Sequence, residues 1–132
     1  MQCRNPPCLQ ACPTEALQQR SDGIVTVETG QCNGCQECIQ ACPYEALVYL
    51  DGKNVASKCD LCAHRLDRGM EQICVGTCPT GVLTLGDLND PDSPLLQRLA
   101  QKDNFVSAPD YGSDPAVHYL TSSRLAPESL KG

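Results

Sequence analysis

The chain has 132 residues, a formal net charge of −6, 11 cysteines, no tryptophan and a single phenylalanine, Phe105. The acidic balance excludes a phosphate-binding face, which needs an excess of Lys and Arg, so nucleic acid is not an expected partner. No apolar run approaches the roughly 20 residues of a membrane-spanning helix, and so few aromatic residues leave disulfides, zinc or iron–sulfur clusters to help hold the fold.

Disulfides fit poorly. The opening Met1-Gln2-Cys3-Arg4 has neither the basic nor the apolar region of a secretory signal. An odd cysteine count also leaves one thiol over in any complete framework. Thiols that await a metal in a reducing or protected setting are the better expectation.

One unit recurs three times in the sequence: Cys12-Pro13-Thr14-Glu15-Ala16-Leu17, Cys42-Pro43-Tyr44-Glu45-Ala46-Leu47 and Cys78-Pro79-Thr80-Gly81-Val82-Leu83. In each copy the proline is expected to open a single helical turn, where its missing N–H costs nothing. After the first copy, Ser21-Asp22-Gly23 signals a turn into a strand, Ile24–Val27. The second copy leads directly into a strand, Leu47–Leu50, with Asp51-Gly52 as the hairpin turn and Asn54–Ala56 returning. The third leads into a strand over Val82–Leu85. Ser93-Pro94 then reads as a helix start, with Leu95, Leu96, Leu99 and Ala100 on one face. The tail beyond Phe105 carries Pro109, Gly112, Pro115 and Pro127. It should be extended, with a short strand at Ala116–Leu120. It is either a loosely packed tail or a functional one, a strap across the cysteine-rich part or a partner contact. The expected class is α+β, loop-rich, with short strands and single-turn helices.

The cysteines fall in three motifs. Cys32-Asn33-Gly34-Cys35-Gln36-Glu37-Cys38-Ile39-Gln40-Ala41-Cys42-Pro43 is the C-x2-C-x2-C-x3-C-P run of bacterial ferredoxins. Three cysteines three apart on a curled loop aim their sulfurs at corners of one [4Fe–4S] cube, and Gly34 relieves crowding there. The fourth reaches a different cluster. That crossing rule needs a partner motif, and Cys3, Cys8 and Cys12-Pro13 supply it. Cys12 should complete the cluster of Cys32, Cys35 and Cys38. Cys3, Cys8 and Cys42 should share a second cluster that lacks one ligand within the sequence. The third motif, Cys59, Cys62, Cys74 and Cys78-Pro79, follows the same logic with an inserted loop. Its four thiols are either further cluster ligands or one tetrahedral zinc site.

These stretches resemble the iron–sulfur subunit of molybdopterin oxidoreductases such as dimethyl sulfoxide, polysulfide, thiosulfate and tetrathionate reductases and formate dehydrogenases. The likeness is carried by Asn5-Pro6-Pro7-Cys8 through Thr14, by the ferredoxin run ending Cys42-Pro43-Tyr44, by Lys58-Cys59-Asp60-Leu61-Cys62-Ala63-His64-Arg65 through Gly81, and by Gly86–Ser93. The resemblance implies a ferredoxin-like cluster-binding fold and four cysteine motifs holding four clusters. The first motif is absent here and the second lacks its first cysteine, so the expectation is an N-terminally truncated form. The incomplete sites would then take [3Fe–4S] clusters or zinc.

The expected organisation is a double-cluster lobe over 1–57, the third motif as part of a second lobe over 58–86, and a helix with an extended tail over 87–132. The expected function is electron relay through [4Fe–4S] clusters, between a molybdopterin large subunit and a quinone-linked membrane anchor subunit. The chain would have no catalysis of its own and would be membrane-associated only through those partners, with neither side of the membrane favoured. A free soluble ferredoxin and a zinc-stabilised interaction module are the alternatives. Lys58 beside Cys59 is either a solvated cation or a charge that tunes a cluster. His64 fits a structural hydrogen-bonding role better than metal ligation. Arg4, Arg65 and Arg68 are surface charges or large-subunit contacts. Glu15 and Glu45 are expected in first helical turns, where the helix dipole suits them, and not as a catalytic pair.

Overall fold

A computed structural model describes residues 1–101 and 103–121. The described helices are α1 (Pro7–Gln10), α2 (Glu37–Gln40), α3 (Ala63–Leu66), α4 (Ile73–Gly76) and α5 (Pro94–Gln101). The strands are β1 (Leu17–Gln19), β2 (Val25–Val27), β3 (Leu47–Leu50), β4 (Val55–Lys58), β5 (Asn104–Val106) and β6 (His118–Leu120), and a 3-10 turn covers Pro109–Tyr111. They pair as three antiparallel two-stranded sheets, β1–β2, β3–β4 and β5–β6. The result is the loop-rich mixture of short strands and short helices expected from the sequence.

The repeat has a different local form from the one expected. Helical turns precede each Cys-Pro pair and do not follow it: α1 runs toward Cys12, α2 toward Cys42 and α4 toward Cys78. Each Cys-Pro then enters a turn closed by a backbone bond back to the cysteine carbonyl: Glu15 N–H to Cys12 (3.4 Å), Glu45 N–H to Cys42 (3.3 Å) and Gly81 N–H to Cys78 (3.2 Å). Proline disfavours the helical region for the residue before it and cannot donate its own N–H, so the pair stops a helix. The residue three after each cysteine sits at positive φ: Glu15 at 54°, Glu45 at 51° and Gly81 at 61°. Glu15 and Glu45 therefore lie at turn corners outside any helix, and the helix-dipole reading does not hold.

The strand predictions divide by whether a partner exists. The hairpin β3–β4 forms where expected, pairing Leu47 with Lys58 through Leu50 with Val55, but Asn54 lies in the turn and the returning strand runs on to Lys58. β2 also forms, and it pairs with a strand the sequence did not announce, β1, which follows the first repeat directly. Val82–Leu85 is not a strand. It has no pairing partner among the described residues, and Val82 (76 % exposed), Leu83 and Leu85 stay open to solvent. An unpaired short strand leaves its backbone groups without partners and gains nothing from extension.

α5 begins where expected. The Ser93 hydroxyl accepts the Leu95 N–H (3.3 Å), which makes Ser93 the N-cap. Leu95, Leu96 and Leu99 are half-buried and Ala100 is exposed, so the apolar face is only partly covered. In the tail, β6 falls inside the expected strand and pairs with β5, where Phe105 stacks on Tyr119 with ring centroids 5.3 Å apart. Pro127 lies outside the described residues.

Between those two strands the tail folds back over the N-terminal residues. The Arg4 N–H donates to Asp114 O (2.8 Å) and the Asn5 N–H to Ser113 O (3.0 Å). Cys3 forms an isolated bridge with Pro115, and the Ala116 N–H donates to Gln2 O (3.3 Å). Of the readings of the tail, the strap is the one the structure supports.

Candidate functional site: converging thiols in the core

The apolar centre is built partly from cysteine. Cys8, Leu17, Val25, Cys38, Leu47 and Ala56 are buried together, with Cys12, Cys32, Cys42 and Ile39 packed against them. α1 and α2 pack on each other and carry Cys8 and Cys38 inward, while the turns after them present Cys12 and Cys42. All eleven cysteines are free thiols.

Two groups of sulfurs converge here. Burial pushes the Cys38 thiol above its ordinary range, and the neighbouring charges of Cys12, Cys8, Cys32 and Cys35 push it further. Four thiols around one buried thiol repel when ionised, and a cationic metal core among them reverses that penalty. In the second group, burial raises Cys8, Cys42 adds to the shift and Lys58 opposes it. Burial raises Cys3 too, with the Ser113 hydroxyl pulling down and Cys42 pushing up. Cys3, Cys8 and Cys42 line one cavity with Tyr44, Ala46, Leu47, Val25 and Lys58.

Donors already point at several sulfurs. The Ala56 N–H donates to Cys32 Sγ and the Ala46 N–H to Cys42 Sγ, each at 3.5 Å. Burial alone would raise Cys12, yet the Leu17 N–H and the Thr14 hydroxyl outweigh it and lower its thiol. Cys78 has the same arrangement with less burial. The Thr80 hydroxyl first, then the Leu83 and Val82 N–H groups, bring its thiol down to about 6, so it is thiolate at neutral pH. Thiolate, not thiol, is the metal-binding form. Buried and half-buried thiols packed together in the core, with N–H donors aimed at several of them, fit the demands of an iron–sulfur cluster.

The third motif repeats the local geometry of the second. In Cys32–Cys35 the Cys35 N–H donates to Asn33 Oδ1 (3.1 Å), and in Cys59–Cys62 the Cys62 N–H donates to Asp60 Oδ1 (2.9 Å). Its cysteines are less enclosed: Cys59 and Cys74 are exposed, Cys62 and Cys78 half-buried. Among the described residues no three His, Cys, Asp or Glu side chains are drawn tightly enough around one point to hold a single metal ion.

Lys58 is not a solvated cation. Its Nζ donates to Val25 O (2.5 Å) and Cys59 O (2.9 Å) and faces the cavity of Cys3, Cys8 and Cys42. Arg65 is held within its own loop, Nε donating to Glu71 O (2.8 Å). Sequence reasoning passed over Gln2, which is 7 % exposed. Its Oε1 accepts the Val25 N–H (2.7 Å) and its Nε2 donates to Cys59 O (2.7 Å). Gln2 and Lys58 thus satisfy the free edge of β2 and tie it to the start of the third motif. Gln2→Ala leaves the buried Val25 N–H without a partner, a loss of about 1–3 kcal/mol, to be read as a lower urea midpoint of the metal-loaded protein. Arg20 makes a second tie, donating from Nη1 to Asp67 (3.0 Å) beside α3. No residue pattern announces these ties, since each partner is distant in sequence and polar.

A family model described as a 4Fe-4S dicluster domain matches residues 1–88. A subunit of tetrathionate reductase from Salmonella typhimurium is 42 % identical over 120 residues, covering 89 % of this chain and 48 % of that protein. A component of polysulfide reductase from Wolinella succinogenes is 42 % identical over 131 residues, covering 98 % of this chain and 68 % of that one. A subunit of sulfite dehydrogenase from Allochromatium vinosum is 36 % identical over 141 residues, covering 98 % and 59 %. The chain spans about half the length of the first of these relatives, and more of the other two. Eleven free thiols, two convergent groups of them in the core and a match over most of the length lead to one assignment: this protein belongs to the 4Fe-4S dicluster domain family.

Proposed function

We propose that this chain is an electron-transfer iron–sulfur subunit, relaying single electrons between a molybdopterin catalytic subunit and a quinone-linked membrane subunit. The observation that carries it is the buried Cys38 thiol, in a core against which Cys12 and Cys32 pack. Cys12, Cys32, Cys35 and Cys38 are the ligands of one [4Fe–4S] cluster. Cys3, Cys8 and Cys42 are ligands of a second. Cys59, Cys62 and Cys74 are ligands of a further cluster and Cys78 crosses to another, a reading that the repeated turn geometry around Asp60 and Thr80 supports. When bound, the clusters supply one-electron chemistry, and the protein supplies spacing, insulation and tuning of potential.

In this reading residues 1–57 form a double-cluster lobe with a ferredoxin-like fold, 58–86 hold the third motif as part of a second lobe, and 87–132 are a helix with an extended tail. The relatives are named as parts of tetrathionate and polysulfide reductases and of a sulfite dehydrogenase, which supports a place in a reductase or dehydrogenase complex. Among the described residues no helix is long and apolar enough to cross a membrane. Association with a membrane through a partner subunit is part of the same reading.

The test is analytical. The chain co-expressed with its large subunit should contain iron and acid-labile sulfide in equal amounts and give EPR signals on reduction. Zinc without sulfide would end the relay reading. A loaded chain that never co-purifies with a larger subunit would turn it into a free ferredoxin.

A further inference from the structure

Lys58 and Gln2 close a box of four hydrogen bonds. Lys58 ends β4, paired with Leu47, and its Nζ reaches the free edge of β2, donating to Val25 O (2.5 Å) and to Cys59 O (2.9 Å). Gln2 bonds the same two residues, accepting the Val25 N–H (2.7 Å) and donating to Cys59 O (2.7 Å). Val25 is only 1 % exposed, so the lysine head is anchored on a fixed part of the core. Lys58 also lines the cavity of Cys3, Cys8 and Cys42. Gln2 directly precedes Cys3 and Lys58 directly precedes Cys59, so the box joins the second group of cysteines to the third.

The charges in and around the box do not balance. An ammonium has three N–H donors and no acceptor. Two of those donors go to neutral carbonyls, and among the described residues no carboxylate is in ion-pair contact with Lys58. A half-buried cation without a counter-charge is costly, and an anion in the adjoining cavity offsets that cost. An iron–sulfur cluster on thiolates is such an anion, since the ligand charges outweigh that of the core, and an added electron makes it more negative. At the Cys12/Cys32/Cys35/Cys38 group the contacts to sulfur are neutral, from the Ala56 N–H to Cys32 and from the Thr14 hydroxyl beside Cys12.

We propose that Lys58 is the fixed counter-cation of the cluster held by Cys3, Cys8 and Cys42, and that its charge raises the reduction potential of that cluster. The proposal deepens the iron–sulfur reading above and rests on it. The cluster takes up one electron and passes one on. Lys58 exchanges no proton in that step and stabilises the reduced form through its field. Gln2 makes the same contacts without a charge, so the two residues separate a clamp from an electrostatic partner.

The test is an EPR-monitored redox titration of the metal-loaded protein in its complex, with the wave of this cluster identified by its loss in Cys8→Ser. Lys58→Met keeps the stem and removes the charge. It should lower that potential, changing the reduction equilibrium about tenfold, which is about 59 mV for one electron. Lys58→Arg keeps the charge and should hold the potential near the parent value. Gln2→Ala removes two bonds of the box at constant charge and should shift the potential far less than Lys58→Met. The wave lost in Cys35→Ser, from the other cluster of the first lobe, should also move less. Should Lys58→Met fail to hold the cluster, Lys58→Gln carries the same prediction. An unchanged potential in Lys58→Met at full iron content overturns the proposal. So does an equal shift of the other cluster, an equal shift in Lys58→Arg or Gln2→Ala, or loss of the cluster from both neutral variants. A parent protein with no iron or sulfide overturns the iron–sulfur reading itself, a result distinct from all of these.

Discussion

Cys38→Ser should remove one whole cluster, about four iron atoms per molecule, and weaken the fold as well. Cys38 is 5 % exposed and packs in the core with Cys8, Leu17, Val25, Leu47 and Ala56. Serine matches it in size, so no cavity forms. Its hydroxyl would sit among apolar side chains without a matched acceptor, a cost of about 1–3 kcal/mol. The larger loss is the metal, because binding free energy is folding free energy in a protein held together by its ligands. Cys35→Ser is the control. Cys35 is exposed, so that variant should lose the same iron without the packing penalty. Cys74→Ser, in the exposed third motif, should leave the signals of the first lobe in place. Iron per molecule and the urea midpoint read all three. Full iron in Cys38→Ser would refute the assignment of that site.

Gly34→Ala should cost about 2–4 kcal/mol of stability, from backbone strain together with overpacking. Gly34 sits at φ +75°, and an added Cβ would lie 2.6 Å from Asn54 Oδ1 and 2.7 Å from Asn54 O. The second contact is with backbone, so shortening the Asn54 side chain would not relieve it. Asn54 is in the β3–β4 turn and accepts a hydrogen bond from the Tyr49 hydroxyl, so the hairpin and the cysteine loop would be forced apart. The loop that shifts carries Cys32 and Cys35, and iron should be retained less well. Gly23→Ala separates strain from contact. Gly23 has φ +84° and nothing within 4 Å of the added Cβ. Only the strain remains there, about 1 kcal/mol. Equal unfolding midpoints for the two variants would show that the approach to Asn54 does not matter.

The cysteine motifs were legible because their information is local. Sulfurs three apart on a curled loop, with proline after the last, allow few backbone paths. Cys12 packs against the core that holds Cys38, and Cys3, Cys8 and Cys42 line one cavity. The hairpin at Asp51-Gly52 and the start at Ser93-Pro94 were legible for the same reason, each being a turn or cap chemistry that its own few residues decide.

The side of the proline on which the helix lies was misread. Proline tolerates a first helical turn, but it also disfavours helix at the residue before it, and here the second effect decides where the backbone turns. Val82–Leu85 failed for a different reason. Its composition suits a strand, but a strand exists only through a partner, and among the described residues the first two repeats have one while the third does not.

By itself the sequence determined the cluster chemistry: which thiols belong to which motif, where the turns fall, and that cysteine replaces aromatic bulk at the centre. Only the tertiary structure decided how the pieces are tied. Gln2 and Lys58 meet the edge of β2, Arg20 reaches Asp67, and Ser113 returns across the fold to Tyr44. The physical reason is range. A cysteine loop is specified by bond geometry over a few residues, whereas a buried polar side chain takes whichever distant partner the fold delivers, and no spacing in the sequence records that choice.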